Sequence, residues 1–252
     1  MIAAIVQARM GSTRLPGKVM EEIVGKPMLW HVIDRLKQAK LLDSIIVATT
    51  DKEVERPILR LTEDLGIASY AGSEKDVLDR YYQAARKFGV DTIVRITADC
   101  PLVDPRVVDK VIQHYLMGDC DYAANTLKYT YPDGLDVAVF SCVALEKAWK
   151  QARWASEREH VTPYIWKNPD KFRLANVENK VNLSHLRWTV DVKEDLAFVR
   201  QVYKYLYKQG QTFYMEDILE LLEAYPDLEK INQGIPPNEG YAKSLREDKI
   251  IK

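Results

Sequence analysis

Between Gln7 and Lys18 the chain reads QARMGSTRLPGK, which places Arg9, Arg14 and Lys18 among Gly11, Ser12 and Gly17. Glycines let backbone amides approach phosphate oxygens, and arginine forks match phosphate in bidentate geometry. The nearest template is the P-loop, whose last hydroxyl holds magnesium. Five residues rather than four separate Gly11 from Gly17, and Lys18 is followed by Val19, which has no hydroxyl. The loop therefore has the composition of a phosphate cradle without being a Walker motif; the alternative is a solvated charged loop. Its position directly after the apolar run IAAIV, with Glu21 the nearby acid, favours the phosphate reading.

Two distant aspartates extend the case. Asp99 follows IVRITA and Asp191 follows RWTV, each expected at the carboxyl end of an apolar strand. Acids in that position suit magnesium, a hard cation that takes one or two carboxylates together with substrate phosphates. Asp104, just before Pro105, reads instead as a helix N-cap. A basic glycine loop facing two such acids describes a metal-assisted nucleotide site.

The elements that must position these groups follow a βαβα rhythm. Strands are expected at 2–8, 44–50, 67–72 and 91–97, and helices at 26–40, 52–65, 76–89 and 105–117. Beyond about residue 120 the pattern loosens. Residues 130–141 read as a loop entering a strand, 143–153 and 156–168 as helices, and 186–199 as a strand running into a helix. The class is α/β, a Rossmann-like three-layer arrangement with a mostly parallel sheet, whose ligands bind outside the carboxyl ends of the strands. The division expected is a main domain over 1–210, including a small irregular insertion or dimerisation region, and a helical and extended tail over 211–252 that runs over the surface or onto a partner subunit.

Composition narrows the function classes. The 252 residues carry 36 basic and 37 acidic side chains, so affinity for anions must be local; neither nucleic acid nor membrane is an expected partner. Cys100, Cys120 and Cys142 are widely spaced, which fits reduced thiols in a cytoplasmic protein and not a zinc site. The opening apolar run is strand-sized, so no leader is expected, and no stretch approaches the length of a membrane span. Trp149, Trp154, Trp166 and Trp188 read as core or subunit-interface residues, and Cys100 as structural. The aromatic run FVRQVYKYLYKQG fits either a dimer interface or a stripe facing the chain's own core.

Three segments together, ARMGSTRLPGK, TADCP and TVDVKEDL, resemble the basic loop and the two acidic motifs of the cytidylyltransferases that make CMP-activated acidic sugars. CMP-Kdo synthetase and CMP-sialic acid synthetase are the best-known members. The runs GSEKDVLDRYYQAA, YPDGLDVAVF and REHVTPYI are similar to the branch of spore-coat polysaccharide biosynthesis, the SpsF type. The resemblance covers about residues 2–205 and implies the nucleotidyltransferase fold and transfer of CMP from CTP to a sugar. It implies that Ala8, Arg9, Gly11, Ser12, Arg14 and Lys18 hold the triphosphate and that Asp99 and Asp191 hold Mg2+. Asp76, Asp79 and Arg80 would lie beside base and ribose. Asp133, Gly134 and Asp136 would approach the acceptor, with His160 and Tyr164 nearby. From the residues alone His160 fits a surface or capping role equally well, and Asp79 with Arg80 an exposed pair. The acceptor motifs of the Kdo enzyme are missing, which points to another sugar. The competing readings are a same-fold enzyme using another nucleotide or a sugar 1-phosphate, and a non-catalytic sugar-nucleotide binder. A glycosyltransferase is disfavoured by the missing Asp-x-Asp.

Overall fold

The computed structural model describes residues 1–236 and 239–251. Among the described residues nine strands form: β1 Ile2–Gln7, β2 Glu22–Ile23, β3 Lys26–Pro27, β4 Ser44–Thr50, β5 Ala68–Gly72, β6 Thr92–Thr97, β7 Tyr122–Ala124, β8 Ala138–Ser141 and β9 Leu174–Asn176. Seven of them build one sheet in the order β5-β4-β1-β6-β8-β7-β9, while β2 and β3 pair as a small separate hairpin. β8 alone runs against the rest, pairing antiparallel with β6 and with β7.

The central strands are apolar on both sides because helices cover both faces. Alternate residues divide cleanly between them. Ala4 and Val6 of β1 join Val47 and Val94 in one core; Ala3 and Ile5 join Ile46 and Ile93 in the other. The first face is covered by α1 Met28–Leu36, α4 Pro105–Leu116, α8 Lys193–Leu206 and α9 Met215–Ala224, with α2 Arg56–Asp64 along its β4/β5 margin. The second is covered by α3 Val77–Phe88, α5 Cys142–Gln151, α6 Ala155–His160 and α7 Pro163–Trp166. The last helix, α10 Glu239–Arg246, packs against α6. No helix among the described residues is long and apolar enough to cross a membrane.

Local chemistry sets the helix ends. Asp76 caps α3 by accepting from the Asp79 amide at 2.9 Å, and Gly89 closes that helix in the left-handed region at φ 65°. Asp104 caps α4 through the Arg106 amide, as its place before Pro105 suggests, and its other oxygen accepts from the Met215 amide at 2.6 Å. One buried carboxylate thus starts α4 and fastens α9.

Two expected elements differ. The helix expected over 156–168 divides at Val161, whose φ is 71°, and Pro163, which has no amide hydrogen to donate, starts α7 afresh in its first turn. No strand forms over 186–190. The Trp188 amide donates to the Asp133 carbonyl and the Val190 amide to the Asp99 carbonyl, so the segment bridges two loops rather than joining a ladder. The segment 211–252 places α9 in the main core through Ile218, Leu221 and Leu222. Of the aromatic run beginning in α8, Phe198 and Tyr203 are buried in that core and Tyr203 donates to the Pro101 carbonyl, whereas Tyr205 is exposed.

Candidate active site

The loop after β1 is shaped by its own backbone. The amides of Ser12 and Gly17 both donate to the Met10 carbonyl, and the Met10 amide donates to Glu55 at 2.9 Å. Glu55 is buried, accepts also from Thr50, and so anchors the loop from the start of α2. Gly17 has φ 73°, which a side chain would resist, and it lets Lys18 turn back under the loop. Among the described residues the amides of Arg9, Gly11, Thr13 and Arg14 make no hydrogen bond, which leaves a row of donors for an anion.

Lys18 carries the centre of the arrangement. Its ammonium donates to Asp99 at 2.8 Å, to Asp191 at 3.0 Å and to the Val190 carbonyl at 2.7 Å, and only 9% of the side chain is exposed. Burial works against the charge of Lys18, but the two carboxylates outweigh it and raise its pKa. Burial likewise pushes the Asp99 carboxyl up, and the Lys18 ammonium overrides it, holding that carboxyl down at about 2. Arg14 reaches the same Asp191 oxygen at 2.8 Å and spans to Glu239 at 3.0 Å.

Asp191 does not end a strand; it is held from behind by Arg187. That guanidinium, 8% exposed, pairs with Asp191, Asp133 and Asp195 at 2.9–3.0 Å. Asp195 in turn accepts from the Asp191 and Val192 amides at the start of α8 and from Asn232. Burial opposes ionisation of both, yet their mutual hydrogen bonds keep Asp195 below and Arg187 above its usual range.

The site meets the needs of a divalent cation in part. Asp99 and Asp191 already bracket one positive charge, the Lys18 ammonium, and offer the hard oxygens magnesium prefers. No group of three or more acidic, histidine or cysteine side chains that could hold a metal occurs among the described residues. A magnesium ion there would draw its remaining ligands from water and from the phosphates of a nucleotide.

These groups line a cleft of about 1130 Å³, large enough for a nucleotide and a second small molecule. Arg9, Ser12, Arg14, Lys18, Asp99, Asp133, Asp136, His160 and Asp191 all face it. A smaller hollow of about 420 Å³ near Leu36 and Ser44 shares none of this chemistry. Burial holds the carboxyls of both Asp133 and Asp136 well above the usual range, Arg187 opposing it at Asp133 and the neighbouring Asp133 adding to it at Asp136. His160 is pushed down to about 4, mainly by burial, so its ring is neutral at pH 7. Its Nε2 lies 2.9 Å from Ser244 of α10.

Other residues singled out in the sequence do not line the cleft. Ala8 is buried, and Gly11 stands in open space in the loop. Asp76 is taken up by its cap and by Arg158 at 2.6 Å, and Asp79 accepts from Trp149 at 2.8 Å; Val77 between them faces the cleft. Arg80 is not half of an exposed pair: it is fully buried and donates to the Ser73 carbonyl. Tyr164 of α7 is buried, donating to Gln151 at the end of α5 and accepting from Lys171.

Gly134 acts through the backbone. Its φ is 110°, and a Cβ there would sit 2.6 Å from the Thr189 nitrogen and the Trp188 carbonyl carbon. The close approach lets the loop carrying Asp133 and Asp136 dock on the 188–191 segment. Gly134→Ala is expected to destabilise the fold by about 3 kcal/mol, read as a lower urea midpoint.

Arg95, Arg187, Asp195, Glu55 and the residues of α10 escaped the sequence reading. Arg95 left a signal, a charge inside the apolar strand TIVRIT, and it lines the cleft. Trp166 also lines it, whereas Trp188 is core.

Both the sequence and the fold have relatives among known proteins. The cytidylyltransferase family model matches residues 3–232. An uncharacterized protein of Methanocaldococcus jannaschii is 38% identical over 236 residues, 93% of this chain and 95% of its own. The spore coat polysaccharide biosynthesis protein SpsF of Bacillus subtilis is 32% identical over 235 residues, covering 90% and 95%. The solved structure of a cytidylyltransferase from Leptospira borgpetersenii superposes with a TM-score of 0.88 at 31% identity, covering 93% of this chain and 98% of the other.

Proposed function

This chain belongs to the cytidylyltransferase family, and from that premise we propose that it transfers CMP from CTP to an acidic sugar, releasing pyrophosphate, in the cytoplasm and in the service of a surface polysaccharide. The observation that carries the reading is the meeting of Lys18 and Arg14 with Asp99 and Asp191 in the wall of a cleft of nucleotide size. The motif resemblance supplies the base and the acidic acceptor, and the name of the SpsF relative supplies the polysaccharide setting.

In the proposed reaction an acceptor hydroxyl oxygen forms a bond to the α-phosphorus while the bond from that phosphorus to the bridging oxygen of pyrophosphate breaks, and the hydroxyl proton passes to solvent water. Free amides of the 9–14 loop, with Arg9, Arg14 and Lys18, bind the phosphates and spread the charge that builds on the leaving group. Asp99 and Asp191 would hold Mg2+, which when bound neutralises phosphate charge and acidifies the attacking hydroxyl. Arg187 and Asp195 keep Asp191 in place. The sheet floor and the loop carrying Asp133 and Asp136 orient the acceptor, and bringing the reactants together supplies much of the rate.

The test is incubation with CTP, magnesium and a mixed pool of acidic sugars, followed by mass detection of conjugates. A CMP conjugate that disappears when chelator is added is the expected outcome. Turnover with another nucleotide alone would overturn the base assignment, and no turnover with any nucleotide would overturn the reaction.

A further inference from the structure

The C-terminal segment reaches this cleft from the far end of the sequence and is firmly fastened there. Asp248 accepts from both the amide and the hydroxyl of Ser156, Ile250 bridges to Trp154, and Ser244 meets His160 and Glu159. Glu239 at the start of α10 meets Arg14 of the basic loop. The segment therefore spans from the candidate triphosphate cradle to α6.

Three side chains that line the cleft each hold a buried polar atom with no partner among the described residues: Gln7 Oε1, Arg95 Nε and Tyr241 Oη. Such an atom is costly when nothing meets it, so unmet atoms on side chains that line one cleft point to the polar groups of a ligand there. Gln7 and Arg95 share a sheet face, because β1 and β6 pair Ile5 with Arg95 and Gln7 with Thr97. Tyr241 packs edge-on against His160 at 4.9 Å, and the Arg95 charge helps to keep that imidazole neutral. The floor and the C-terminal helix thus address one region. The set offers a cationic donor, a hydroxyl and a carbonyl acceptor, which suits a carboxylate next to hydroxyl groups. The same segment brings Lys243, Arg246 and Lys249 to the cleft wall beside Glu239 and Glu247, so its contribution there is net positive.

We propose that the C-terminal segment completes the acceptor subsite, with Arg95 binding the carboxylate of a polyhydroxy acid and Tyr241 and Gln7 binding its hydroxyls. This rests on the reading of the chain as a CMP transferase to an acidic sugar, and it makes Tyr241 a specificity-determining residue for the acceptor. The neighbouring Asp136, pushed up by burial, repels such a carboxylate less than an ordinary aspartate.

In the full chain, Tyr241→Phe keeps the ring contacts and removes only the hydroxyl. It is expected to raise the KM for the acceptor found in the sugar pool about tenfold, while kcat and the KM for CTP move less than twofold. Arg95→Gln is expected to raise the acceptor KM about a hundredfold. A parallel titration uses D-gluconate, a polyhydroxy carboxylate, followed by ligand-observed NMR. Wild type binds it, and each variant weakens it at least fivefold. No binding to wild type, or unchanged binding by both variants, overturns the subsite whatever the turnover assay gives. Absence of turnover with every sugar, alongside the expected gluconate losses, overturns the reaction and leaves the subsite standing.

Discussion

Asp99→Asn is expected to lower pyrophosphate release by about a thousandfold while the chain stays folded. The substitution preserves shape and one acceptor oxygen but removes the charge. In the wild type that charge has one strong partner, the Lys18 ammonium at 2.8 Å, whereas both Asp191 oxygens are engaged by cations: Lys18 and Arg14 on one, Arg187 on the other. Asp99 is therefore the carboxylate freer to exchange Lys18 for magnesium when a triphosphate arrives. Asparagine keeps a hydrogen bond to Lys18, and Lys18 keeps Asp191 and the Val190 carbonyl, so the melting temperature should fall by only a few degrees. A coupled pyrophosphate assay beside a thermal melt separates the two effects. Turnover within tenfold of wild type in a folded variant would remove Asp99 from the metal site, and with it the chemical core of the proposal.

How much of this site could be read in advance follows from how each residue is held. The cations of the 7–18 loop and Asp99 were legible because glycine, charge and strand end lie side by side in sequence, and local spacing reports local geometry. Asp104 was legible for the same reason, its neighbour being Pro105. Asp191 was picked out with the wrong support: TVD has the apolar look of a strand, but the apolar residues Trp188 and Val190 are buried by a loop whose amides bond to Asp133 and Asp99. Arg80 shows the opposite failure. On a helical wheel it reads as surface, yet its guanidinium is buried to hold the 73–74 turn, a partner no helical period reveals. Arg187 depends on three carboxylates up to 54 residues away, and α10 on Arg14, Glu159, His160 and Trp166, all far from it in sequence. Such pairings exist only once the sheet has closed, so sequence spacing carries no trace of them.

Lys18→Met tests the same centre from its other side and should affect stability as well as chemistry. Methionine fills much of the lysine stem's volume, so the loss is chiefly the ammonium. CTP affinity should fall by at least tenfold and turnover by about a thousandfold, because the variant lacks both a phosphate donor and the charge that gathers the two aspartates. The fold should lose about 3 kcal/mol at pH 7, since Asp99 and Asp191 would face each other partly buried with only Arg14 and Arg187 left to offset them. The pH dependence follows from Asp99. Its folded pKa of about 2 lies below the unfolded value near 4, so its contribution is present above about pH 4 and is lost as the pH falls toward 2. Without Lys18, burial raises that carboxyl instead, and the variant gains relative stability on acidification as Asp99 takes up a proton. The difference in urea midpoint between wild type and Lys18→Met should therefore be largest near neutral pH and shrink toward pH 3. A difference independent of pH would mean that Lys18 and Asp99 are not electrostatically joined, and unchanged CTP binding would make the basic loop a bystander to the nucleotide.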